Sequence, residues 1–207
     1  EHTASLIDPA SGKMLAKLPV GRGPHEVIVS PDGRTAYVSN FGPYGICPAG
    51  DTMCKTPGNT ISVLDLAERK VKATYGYGSN TGQHGSVISR DGKHVWVTSE
   101  TPQSLLEIDA ATGKIVNQWM TKQERSHLVV STPDEKKFYV SNTVSGSVSV
   151  VDRATGAAKV IPIGKGAEAI TISPDGREVW VGMPGDNKIA VVSTAQDAIA
   201  ETLDSGG

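Results

Sequence analysis

Alternating apolar and polar positions run along this chain in short bursts, each bounded by turn residues. The clearest pair is HEVIVS (25–30) and RTAYVSN (34–40), joined by Pro31-Asp32-Gly33. Successive side chains on a strand point to opposite faces, so an apolar period of two over several residues predicts a strand with one face covered. Pro fixes φ, Asp offers a side-chain acceptor and Gly takes the left-handed conformation, so this pair predicts a β-hairpin. No segment sustains a 3.6-residue apolar period, and the expectation is an all-β chain with at most a stray helical turn.

The same sentence returns three times, as GQHGSVISRDGKHVWVTSE (82–100), RSHLVVSTPDEKKFYVSN (125–142) and GAEAITISPDGREVWVGM (166–183). A second hairpin follows each copy. Self-similarity at about 40 residues, four strands to a unit, predicts a β-propeller. The units run over 23–77, 82–119, 125–163 and 166–203, one propeller domain across 1–207, with an insertion at 41–59. Asp8, Asp65, Asp109 and Asp152 close the third strand of successive units, where a carboxylate accepts N–H bonds of the following turn, and Ser193 takes that place in the last. Tyr37, Trp96, Tyr139 and Trp180 share one position in the second strand, which predicts packing between neighbouring blades.

The hairpins do not balance. Residues 1–20 read as the outer half of a blade with no inner half of its own, so four inner hairpins face five outer ones. The expectation is therefore four blades plus an unpaired N-terminal outer hairpin, an incomplete ring. Roughly 20 further residues would close five blades, and roughly 100 would close seven. A truncated or partly ordered chain is one reading, and an open sheet edge covered by a partner chain is the other.

Composition narrows the function classes. The 207 residues carry a formal charge of −2, which gives no reason to expect nucleic acid or an anionic membrane as partner. No apolar run approaches the roughly 18 residues of a membrane span. The chain opens at Glu1 rather than Met, as it would after loss of a leader. Cys47 and Cys54 lie close together in the Gly/Pro-rich insertion and predict a loop disulfide in an oxidising compartment, with two free cytosolic thiols as the alternative.

PHEVIVSPDGRTAYVSN, SVSVVDRATG and AITISPDGREVWVGM resemble the YVTN family of β-propeller repeats, over essentially the whole chain. The resemblance implies a periplasmic, secreted or cell-surface scaffold more than a particular reaction. The insertion, Arg90 in place of the turn proline and Glu135 in place of the turn glycine depart from the pattern.

Candidate chemistry gathers where the first strands line the channel. His25, His84 and His127 each stand six residues before Pro31, Arg90 and Pro133, and Glu168 stands six before Pro174. Three imidazoles and a carboxylate are good ligands for zinc, copper or iron, with an enzyme of hydrolase or oxidoreductase type as one outcome. The other reading is structural, with each His bonding the neighbouring blade's loop. Arg22, Arg125 and Lys165, with Glu100 and Asn142, emerge on the same side, and Tyr44 and Tyr77 would wall a pocket there. Long insertions on rigid scaffolds carry function, so the expected ligand face for a small molecule or protein is the channel mouth. Nucleophile elbows, phosphate loops and HExxH or CxxC motifs are missing, which favours binding over turnover.

Overall fold

A computed structural model describes residues 2–42 and 56–206, and these contain strands and turns but no helix. A two-stranded hairpin comes first, β1 (Thr3–Ile7) with β2 (Met14–Pro19). Four antiparallel four-stranded sheets follow. Blade A holds β3 (Pro24–Val29), β4 (Thr35–Asn40), β5 (Thr60–Asp65) and β6 (Lys70–Gly76). Blade B holds β7 (Thr81–Ile88), β8 (His94–Thr101), β9 (Ser104–Asp109) and β10 (Ile115–Met120). Blade C holds β11 (Ser126–Ser131), β12 (Lys137–Asn142), β13 (Ser147–Asp152) and β14 (Ala158–Pro162). Blade D holds β15 (Ile170–Ile172), β16 (Glu178–Met183), β17 (Lys188–Ser193) and β18 (Ala198–Asp204). The fold is a β-propeller whose ring is not closed.

The turns follow their sequences. Asp32, Asp91, Asp134 and Asp175 each accept the hydroxyl of Ser30, Ser89, Thr132 or Ser173 in the turn between first and second strands. Asp8, Asp65, Asp109 and Asp152 accept backbone N–H bonds from the turn between third and fourth strands. These bonds to the ionised form lower the carboxyl pKa of Asp8, Asp109 and Asp152, with the turn hydroxyl as the larger cause.

The core sits between blades. Tyr37, Ile61 and Val63 of blade A meet Val95, Val97, Leu106 and Ile108 of blade B. Trp96, Leu105 and Trp119 of blade B meet Val129, Phe138 and Val140 of blade C. Tyr139, Val148 and Val150 of blade C meet Val179, Val181 and Val192 of blade D. Three of the aligned aromatics reach forward to the next blade. Tyr37 donates its hydroxyl to the Ala110 carbonyl (3.2 Å), Trp96 lies under the Arg153 guanidinium at 4.8 Å, and Tyr139 donates to the Asp197 carboxylate. Trp180 departs from the expected packing between blades. It is half-buried and its indole N–H donates to Glu178 of its own strand, because no described sheet covers that face.

The repeat departures meet at the junction of blades B and C. Where the other units hold the apolar residues Val63, Val150 and Val191, blade B holds Glu107, only 2% exposed. Its carboxylate accepts from Arg153 of blade C and from Asn117, both at 2.6 Å. Arg90 keeps an N–H that proline lacks and donates it to Glu135 at 2.6 Å. Glu135 adopts the turn glycine's positive φ of 56° and lies 3.8 Å from Arg153. Arg90, Glu135, Glu107 and Arg153 thus form one polar clasp.

Candidate functional site

The first strand of blades A, B and C carries an irregularity at the same place. Pairing slips between Pro24 and Val27, between Gln83 and Ser86, and between Ser126 and Val129. A bulge of this kind breaks strict alternation and re-aims the side chains within it. His25, His84 and His127 all lie inside these bulges. Their rings lie in a row across three blades, with centroids 3.8 Å apart and planes tilted by 47° for His25–His84, and 3.9 Å and 37° for His84–His127. Phe41 closes the row from one side, edge-on to His25 at 5.6 Å and to His84 at 4.9 Å.

A hydroxyl from the preceding blade pins each later member through its backbone. Ser39 donates to the His84 carbonyl (2.7 Å), Thr98 to the His127 carbonyl (2.6 Å) and Ser141 to the Glu168 carbonyl (2.8 Å). These links run through the main-chain carbonyls, and the His127 ring adds a hydrogen bond of its own to the Glu168 backbone of the next unit. Ser39 and Ser141 also accept from Glu26 N–H and Leu128 N–H in their own blades, so one hydroxyl ties a bulge to its neighbour.

The row is electrostatically graded. Burial, with smaller contributions from the charges of His127, His25 and Arg125, pushes His84 down to about 2. Its ring is neutral at any physiological pH, which leaves a lone pair for a ligand or a donor. Burial also lowers His127, opposed in part by Glu168. The Nδ1 atoms of His84 and His127 are buried without a hydrogen-bond partner. His25 is the open end, with 45% of its side chain exposed.

One residue at this site escapes sequence reasoning. Glu26 follows His25 directly and would face the other way on a regular strand, yet its carboxylate lies 3.5 Å from His25 Nδ1. His25, Glu26 and His84 each offer a ligand atom, and these atoms lie within 4.8 Å of one another. A slipped register is the feature that allows it, and no side-chain pattern announces one. Glu168 is exposed at the far end of the row.

Around the mouth, Arg125 pairs with Glu100 at 3.3 Å, and burial raises the Glu100 carboxyl against the pull of that guanidinium. Arg22 lines a recess with Gly42, Thr56, Pro57 and Gly58 at the base of the insertion. Lys165 is exposed, and its N–H donates to Asp186 at 2.6 Å. Tyr77 and Asn142 lie in the interior. Tyr77 packs in the core between blades A and B, while Asn142 accepts from Ser126 and donates to Ser147 and Ser149. Tyr44, Cys47 and Cys54 lie outside the described residues.

No family model matches the chain. It is 27% identical over 202 residues to Protein NirF of Pseudomonas aeruginosa, a match covering 92% of this chain and 47% of NirF. Among solved structures it superposes on hydrazine synthase of Kuenenia stuttgartiensis with a TM-score of 0.72 at 20% identity, over 87% of this chain and 49% of that one. It superposes on the dihydro-heme d1 dehydrogenase NirN in complex with DHE with a TM-score of 0.72 at 19% identity, over 100% of this chain and 42% of that one. These likenesses establish the propeller. The chain spans less than half the length of the curated relatives it matches.

Proposed function

We propose that this chain is an extracytoplasmic ligand-binding propeller of YVTN type, one folded domain whose channel mouth receives a flat, anionic tetrapyrrole of the heme d1 class. The observation that carries this reading is the row of three imidazoles ending in the exposed ring of His25. The His25 imidazole, on a rigid strand, would be able to hold the metal of a tetrapyrrole, and Phe41 supplies an apolar edge beside it. Arg22, Arg125 and Lys165 lie on loops at the same mouth, where guanidinium and ammonium groups suit the carboxylates of such a ligand. NirN, which shares the fold, was solved with a ligand of this kind, and this agrees with the reading. The bound group would supply redox or ligand-exchange chemistry at its metal. The protein's part is to hold it, orient it and exclude water from one of its faces.

A second reading has a specific observation behind it. His25, Glu26 and His84 converge closely enough that a small inward movement would let them hold a single zinc, copper or iron ion directly.

Titration of the purified protein with hemin, followed by absorption, tests the first reading. It predicts saturation near one hemin per chain and at least tenfold weaker binding in His25→Ala. Unsaturable binding, or binding that His25→Ala leaves unchanged, rejects it. Cobalt(II) alone, read by its visible d–d bands, tests the second. Bands lost in both Glu26→Gln and His25→Ala support it, and a spectrum identical to free cobalt rejects it.

A further inference from the structure

We propose that Arg125, at a position the repeat otherwise gives to glycine, selects ligands carrying a free carboxylate at the channel mouth, and that Glu100 of the preceding blade is its positioning residue. The inference rests on the reading of that mouth as the ligand face.

The repeat shows what the position requires. Gly23, Gly82, Arg125 and Gly166 each stand two residues before His25, His84, His127 and Glu168, and their φ angles are 58°, 68°, 58° and 73°. That conformation crowds any Cβ, so an arginine there carries a steric cost that its siblings avoid. Glu100 departs as well. The positions aligned with it hold Phe41 in blade A, Thr143 in blade C and Pro184 in blade D. The junctions of A with B and of C with D form with the combinations Phe41–Gly82 and Thr143–Gly166, so blade contact does not require the ion pair.

Nor does the pair repay the strain by itself. It is a single contact, Arg125 Nε donating to Glu100 Oε1 at 3.3 Å, and the arginine side chain is 40% exposed. Partly exposed pairs of this kind add little net stability. Burial holds the Glu100 carboxyl above the ordinary carboxylate value despite the cation beside it.

The geometry leaves a fork open. A guanidinium has five N–H donors, and among the described residues only Nε of Arg125 is bonded. Glu100, 15% exposed, holds the Nε edge and leaves the two terminal nitrogens for the two oxygens of a carboxylate. The charge of Arg125 acts on His84 and His127, and that of His25 acts on Glu100, so an oxyanion on the fork would lie beside the imidazole row. Glu100 already offsets part of the guanidinium's charge, which suits a singly charged carboxylate better than a phosphate dianion.

Benzoate, one carboxylate on a flat ring, serves as the probe against the whole chain without tetrapyrrole or metal. Binding is followed by NMR of the Arg125 Nε–H and of the His84 and His127 ring signals. The expected result is a saturable one-to-one shift, with benzamide at least about tenfold weaker and inorganic phosphate no tighter than benzoate. Arg125→Gly restores the sibling residue, so it should abolish binding and melt no lower than the unaltered chain. Arg125→Lys keeps the charge but loses the fork, and should bind at least about fivefold more weakly. Glu100→Ala should weaken binding by a similar factor, whereas Glu100→Gln, whose amide oxygen still accepts from Nε, should stay within about twofold of the unaltered chain. Absence of saturable binding, equal binding of benzamide, tighter binding of phosphate, a lowered melting temperature in Arg125→Gly, or undiminished binding in Glu100→Ala would overturn the proposal. Benzoate offers no metal to His25, so hemin binding without a benzoate site removes this inference alone, and benzoate binding without hemin binding removes the tetrapyrrole reading alone.

Discussion

Ser39 of blade A donates its hydroxyl proton to the carbonyl oxygen of His84 in blade B, 2.7 Å away and fully buried. That bond fixes the main chain of the most deeply placed imidazole from a separate sheet. Removing the donor leaves a buried carbonyl without its partner, which costs more than the net worth of one hydrogen bond. Ser39→Ala should therefore lower stability by about 1–3 kcal/mol in urea unfolding, and Thr98→Val should do the same at His127. An effect below a few tenths of a kcal/mol in both would contradict the hydroxyl ladder.

Gly85 lies against β11 of blade C, next to His84. A Cβ placed there would lie 2.5 Å from the Leu128 Cα and 2.7 Å from the His127 carbonyl oxygen. Both are backbone atoms of the β11 bulge, where Thr98 holds the His127 carbonyl and Ser141 the Leu128 N–H, so neither swings aside freely. Gly85→Ala should cost about 1–3 kcal/mol and spread the His84 and His127 rings, visible as loss of their ring-current shifts by NMR.

The His84 shift makes stability depend on pH. Unfolded, His84 takes a proton near 6.5, whereas folded it does so only near 2. Between those values the unfolded chain holds the extra proton, so stability is full above 6.5 and falls as pH drops below it. From pH 7.5 to 5.5 this group alone should remove about 1.4 kcal/mol, measured by urea unfolding at the two pH values. His127 is shifted the same way and adds to the loss. The difference should shrink clearly in His84→Gln.

Glu107 offers a contrast between breaking a buried pair and replacing it. Arg153→Met leaves a carboxylate that is 2% exposed without its main counter-charge, and should cost about 3–5 kcal/mol. Glu107→Val with Arg153→Met restores the residue type of the sibling blades and should recover most of that loss. The two variants and their combination form a thermal-unfolding cycle with a large coupling energy. Simple additivity would mean that the clasp contributes little.

The propeller was legible in the sequence because its turns are written in residue types with one dominant use. Pro31-Asp32-Gly33 and Pro174-Asp175-Gly176 mark hairpins whatever surrounds them, and the aligned aromatics Tyr37, Trp96 and Tyr139 mark the faces where blades meet. The alignment of His25, His84 and His127 was legible for the same reason, since equal spacing from a fixed turn places residues on equivalent strands. Their close contact was not. Whether aligned side chains converge or spread depends on the bulges, and a bulge is a main-chain slip with no residue signature of its own. Glu26 was missed on that account, because alternation places it on the opposite face from His25. Trp180 shows the converse limit. Its sequence position matches its three siblings, but its burial depends on a neighbouring sheet, which the local pattern cannot report.

The row of rings itself is open to direct observation by NMR of the imidazoles in the whole chain. Close contacts should appear between ring protons of His25 and His84 and between those of His84 and His127, with the His84 nitrogen shifts those of a neutral ring from pH 8 down to pH 5. Rings without mutual contacts, or a His84 that titrates near 6.5, would contradict the packed channel mouth on which the proposed ligand site stands.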